Sequence, residues 1–161
     1  MFSKIRINFF VFFLLIFIYS INSFSIEPNI FVQSTVNKAS TVLGGEFSKE
    51  NKMEKLKDIA KDTVDIRGIG FYTLGKHRKS LNNDQKNEYS ELFENYFLKS
   101  FSSRLAEYSN PQIDVISQEK LSDKYTIVSS ILIATKERPE VKIDWRIYTK
   151  DPENPLIRDL I

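Results

Sequence analysis

Val141-Lys142-Ile143-Asp144-Trp145-Arg146-Ile147-Tyr148 places an apolar side chain at every second position, the period of a half-buried antiparallel strand. Upstream, Tyr125 to Thr135 is a run rich in β-branched residues and long enough for a second strand. Only Lys136 to Glu140 separates the two, so they are expected to pair as a hairpin. Working outward, Ile113 and Val115 alternate with Gln112 and Asp114, and Ser122-Asp123 makes the next short connection. Downstream, Asp151-Pro152-Glu153-Asn154-Pro155 is a turn, after which Leu156 to Ile161 begins a fourth strand.

Before Pro111 the period changes to that of a helix. Tyr89, Leu92, Phe93, Tyr96, Phe97, Phe101, Leu105 and Tyr108 recur with gaps of 3, 1, 3, 1, 4, 4 and 3, one helical stripe that predicts a long helix over residues 83–109. Asn82 or Asn83 supplies its N-cap oxygen, Asp84 puts negative charge in its first turn, and Ser109-Asn110-Pro111 ends it. A first helix is predicted over 29–43, stopped by Gly44-Gly45, followed by a polar loop over 46–53. A short helix from Lys55 to Lys61 and another from Ile66 to about Leu74 complete the set, with Gly75 as a C-cap. Helices first and an antiparallel meander last make an α+β domain, N-terminal helices packed on a C-terminal sheet of about four strands.

The charge balance removes one class of function. The 161 residues carry 23 basic against 21 acidic side chains, a net +2. Lys4 and Arg6 account for the excess, because residues 1–25 contain no acid; the remainder is neutral, which argues against nucleic-acid binding. Those two residues form a basic n-region, Phe9 to Tyr19 is an unbroken apolar run, and Ser23-Phe24-Ser25 offers small residues for cleavage before Ile26. Residues 1–25 therefore read as a cleavable signal peptide. An 11-residue helix, at about 1.5 Å per residue, falls short of a bilayer's roughly 30 Å core. The alternative is an uncleaved anchor over Ile5 to Ile21. The absence of cysteine excludes disulfides and thiol nucleophiles.

No catalytic constellation or metal-ligand spacing is visible. His77, the single histidine, sits among Lys76, Arg78 and Lys79 in a basic turn and reads as solvated. Gly68-Ile69-Gly70 is too short for a phosphate loop. Asp144 falls on the opposite parity to Trp145 and is expected to pair with Lys142 or Arg146 at the surface. The aromatic stripe of residues 89–108 could fill a core or wall a cavity, and periodicity does not separate the two.

The order of several short motifs carries more. Val64-Asp65-Ile66, Leu74-Gly75-Lys76-His77-Arg78-Lys79, Gln85-Lys86 and the Tyr89…Phe93…Tyr108 helix resemble the MlaC, or toluene-tolerance auxiliary, family of periplasmic proteins. So do Thr126-Ile127-Val128 and Arg138-Pro139-Glu140-Val141-Lys142-Ile143-Asp144-Trp145-Arg146, over roughly residues 30–161 in all. His77 stands where that family usually has an aromatic residue. The chain also stops at Leu160-Ile161, where family members continue into a further helix, so residues 26–161 are expected to be a lipid-binding domain lacking its C-terminal helix.

The resemblance implies an apolar pocket for phospholipid and no catalysis. It further implies a periplasmic carrier within a lipid-asymmetry pathway, working between an outer-membrane lipoprotein complex and an inner-membrane ABC transporter, with phospholipid as ligand and no cofactor. By parity on the sheet, Val128, Ser130, Leu132, Val141, Ile143, Trp145 and Ile147 face inward and are expected to line such a pocket. Val64, Ile66, Leu74, Phe93, Phe97 and Phe101 join them from the helices. Two other readings stay open. One is an exported enzyme on an NTF2- or cystatin-like scaffold, with Asp144, Asp114 or His77 turned inward. The other is a periplasmic adaptor that binds protein through its sheet edge.

Overall fold

The computed structural model describes residues 25–136 and 138–161. The leader over residues 1–25, Ser25 aside, and its anchor alternative lie outside them. Helix α1 spans Pro28–Gly44, with Pro28 in the first turn, where its fixed φ suits a helix and its missing N–H costs nothing. Gly44-Gly45 ends it, the Gly45 N–H donating to the Thr41 carbonyl at 3.1 Å.

Helix α2, Lys49–Thr63, begins inside the stretch expected to be a loop. The Ser48 hydroxyl accepts from the Asn51 N–H at 3.2 Å, and this cap starts a helix whose first turns are polar because they face water. Helix α3, Ile66–Thr73, is capped by Asp65, whose carboxylate accepts from the Gly68 N–H at 2.8 Å. Gly75 follows at φ +53, a left-handed turn that a residue with a Cβ resists, and Gly75–Lys79 forms a single 3-10 turn. Helix α4, Asn83–Leu105, opens with a capping box: Asn82 Oδ1 accepts from the Gln85 N–H and Gln85 Oε1 from the Asn82 N–H. It stops one turn earlier than its aromatic stripe predicts, and the chain reverses through Asn110 at φ +48.

The strands are β1 Ile113–Ser122, β2 Tyr125–Leu132, β3 Val141–Tyr148 and β4 Leu156–Leu160. They form one antiparallel meander in the order β1-β2-β3-β4. Val128 pairs with Trp145, Ser130 with Ile143 and Leu132 with Val141, so these six share one face. In β4 the ladder pairs Ile157 with Ile147 and then Asp159 with Arg146, leaving Arg158 as an extra residue in a bulge.

Each sheet edge is engaged at one end. Gln33 of α1 donates from Nε2 to the Ile113 carbonyl and accepts at Oε1 from the Val115 N–H, occupying two groups at the start of the outer edge of β1, whose later residues are exposed. Val64 bridges to Ile157 in parallel and the Asp65 N–H donates to the Ile157 carbonyl at 2.9 Å, engaging β4. The core gathers Val32 and Val36 of α1, Ala60 of α2, Val64, Ile66 of α3, Leu98 of α4, and Val128, Ile147 and Ile157 of the sheet. Among the described residues no helix is long and apolar enough to cross a membrane.

Candidate functional site

Helix α4 takes its main packing from α2 and α3 rather than from the sheet. Over the Leu132, Ile143 and Trp145 end of the sheet this leaves a cavity of about 440 Å³. Its walls come from all four helices, α3 through Ile69 alone, and from all four strands. Helix α1 contributes Val36, Ala39 and Leu43; α2 contributes Leu56, Ile59 and Ala60; α4 contributes Phe97, Phe101 and Leu105. Tyr108, Pro111 and Ile113 close one end, and Ile157 to Leu160 the side toward β4.

The aromatic stripe of α4 does both of the things its periodicity allowed. Tyr89, Phe93, Phe97 and Phe101, each four residues after the last, stack at centroid distances of 5.9, 6.2 and 5.5 Å. The first two rings belong to the contact with α3. The Tyr89 hydroxyl bonds Thr73 Oγ1 at 2.8 Å, and Phe93 lies so close to Gly70 that an added Cβ there would sit 2.8 Å from the ring. The last two rings, Phe97 and Phe101, wall the cavity.

Of the thirteen residues expected to line a pocket, Val64, Phe97, Phe101, Leu132, Ile143 and Trp145 border this cavity. The other seven do not. Val128, Ile147 and Ile66 are solid core, buried in one cluster with Val32 of α1 and Leu98 of α4. Ser130 is buried behind the wall, accepting the Trp145 Nε1–H at 2.7 Å and donating to the Ile143 carbonyl at 3.2 Å. It satisfies the indole inside an apolar surface rather than meeting a ligand. Phe93 is taken up by Gly70, Leu74 lies beyond the cavity at the end of α3, and Val141 is exposed at the start of its strand. The inward faces of α1 and α2 were missed. Their spacing, Val36-Ala39-Leu43 and Leu56-Ile59-Ala60-Thr63, is the signal that would have found them.

Charge sits at the rim in compensated pairs. Arg158 is paired with Asp65 and stands over the Tyr148 ring at 4.8 Å, although its buried Nε has no hydrogen-bond partner among the described residues. Arg146 meets Asp159 at 3.4 Å, in place of the expected pairing with Asp144. His77 and Asp114 are exposed and Asp144 lies on the other face of β3, so none of the three borders the cavity. Among the described residues no group of His, Asp and Glu side chains is placed to hold a metal ion. Glu54, held below the ordinary carboxylate range by its hydrogen bond and charge interaction with Lys57, and Asp151, held down by the Asn154 amide, both lie elsewhere on the surface.

Comparison with known proteins places this architecture. The family model described as MlaC protein matches residues 33–161. No curated protein matches the chain. Among solved structures, a phospholipid-binding protein from Ralstonia solanacearum in complex with a phospholipid superposes with a TM-score of 0.68. It is 15% identical, and the match covers 84% of this chain and 77% of the other.

Proposed function

The chain belongs to the MlaC family, and from that premise we propose that it is a non-catalytic phospholipid carrier whose acyl tails occupy the cavity between α4 and the sheet. The observation that carries this reading is the cavity itself. Its volume lies within the roughly 300–1,000 Å³ of small-molecule sites, and its walls are aliphatic and aromatic apart from a few hydroxyls and the rim ion pairs. An apolar void of this kind stays dry and takes apolar ligands. The energetics fit a carrier: at about 0.8 kcal/mol per CH₂, an acyl chain of ordinary length resists entry into water by roughly 10 kcal/mol. Phe97, Phe101, Leu132, Ile143 and Trp145 replace that burial in part, which lets the lipid leave a bilayer and still be delivered.

Family membership extends the reading. Residues 1–25 act as a cleaved export leader, residues 26–161 form the lipid-binding domain, and the periplasm is its compartment. Its partners are an outer-membrane lipoprotein complex and an inner-membrane ABC transporter. The placement of His77, Asp114 and Asp144 away from the cavity favours carriage over the exported-enzyme reading.

The test is to purify the full chain from cells, extract it with organic solvent and identify lipids by mass spectrometry. Phospholipid is expected with the wild type and strongly depleted in Ala39→Trp, which fills the cavity from α1 and leaves the core beside it intact. A wild-type protein without phospholipid, under conditions that retain it on a known carrier, overturns the reading.

A further inference from the structure

Tyr108 closes one end of the cavity, just past the last turn of α4. Over its ring, 4.2 Å from the centroid, stands the guanidinium of Arg138, from the connection between β2 and β3. The backbone there is constrained on both sides. The Thr135 N–H donates to the Arg138 carbonyl at 2.9 Å, and Pro139 fixes the φ that follows. A guanidinium lying over an aromatic face keeps its N–H donors in its own plane, free to point outward. That fork matches two oxygens of a phosphate and, held over a ring, it is oriented before any ligand arrives.

The other arginines beside the cavity are already used. Arg158 is neutralised by Asp65 and Arg146 by Asp159. Arg138 makes no ion pair with a described carboxylate, is exposed, and reaches the cavity's end through Tyr108, which borders it. Among the described residues, an oriented cation without an ion pair thus stands beside the ring that closes one end of an apolar chamber.

We propose that Arg138, oriented by Tyr108, is the phosphate-recognising group of this protein and binds the phosphodiester of a lipid whose tails fill the cavity. The proposal rests on the carrier reading above and adds what that reading leaves open: which end of the cavity receives the headgroup, and by what chemistry. Recognition falls on the phosphodiester that all glycerophospholipids share, while the headgroup alcohol stays in water.

The experiment uses the full chain, stripped of lipid and titrated with phosphatidylglycerol and with diacylglycerol carrying the same acyl chains. The wild type is expected to prefer the phospholipid. Arg138→Gln removes most of that preference, weakening phosphatidylglycerol about 10-fold, the scale of one charged contact, and leaving diacylglycerol unchanged. Arg138→Lys, which keeps the charge but not the fork, falls between. Because Arg138 lies in an exposed loop, its variants should melt with the wild type. Equal losses for both ligands, or no loss for either, overturn the assignment while leaving the carrier reading intact. Displacement of phosphatidylglycerol by excess inorganic phosphate overturns it in favour of a free-anion site. A wild type that binds neither lipid defeats the carrier reading itself.

Discussion

Val128 and Trp145 are partners across β2 and β3, point to the same side of the sheet, and face different things. Val128 is fully buried among Val32, Ile66 and Leu98, whereas Trp145 looks into a void. The same division runs along α4, where Phe93 packs on Gly70 and Phe97, one turn on, walls the cavity. Residue type does not explain either split. What lies above does: Val32, Ile66 and Leu98 fill the core over one half of the inner sheet face, and Phe97 and Phe101 stand over the other half without filling it. Parity fixes which side of a sheet a residue faces, and the height of the covering layer decides whether that side is core or chamber.

The comparison fails if the two halves respond alike to the loss of a side chain. Ile147→Ala, in the packed half, opens a new void and is expected to cost about 3 kcal/mol in urea denaturation. Ile143→Ala, at the cavity wall, widens a void already present and should cost about 1 kcal/mol. Equal costs would mean that the cavity is filled in solution by something as well packed as core.

Asp65→Asn probes the latch that holds the closed half shut. Asparagine retains the cap on α3 but leaves the Arg158 charge unpaired, with an expected loss of about 2 kcal/mol, below the figure for a fully buried pair because both groups keep some exposure. Double mutation with Arg158→Met should recover part of that loss, and no recovery would remove the pair from the account. Gly70→Ala is the mildest test. The Phe93 ring must shift, at an expected cost of about 1 kcal/mol, and the rings stacked after it move with it, so lipid retention falls further than stability does.

Much of this was legible in the sequence. The meander follows from strict alternation over Val141 to Tyr148 and from the short connections around it, and the long helix from one continuous stripe and its N-cap asparagine. The start of α2 was not, because Lys49 to Met53 offers almost no apolar periodicity and only Ser48 marks the turn. The candidate site was half legible. Alternation distinguishes Trp145 from Asp144, but nothing local distinguishes Trp145 from Ile147, since the difference lies in helices contributed by sequence far upstream. Ala39 and Ala60, which make room in the cavity by being small, read in one dimension as ordinary helix formers.

Trp145 is the only tryptophan of the chain, and its indole N–H is pinned to Ser130 while the ring faces the chamber. Excited at the red edge, where the chain's seven tyrosines do not absorb, its emission therefore comes from one indole at one place. Acyl chains sliding along that ring would change its polarity and its quenching, so the arrival and departure of cargo can be followed in real time on the unlabelled molecule.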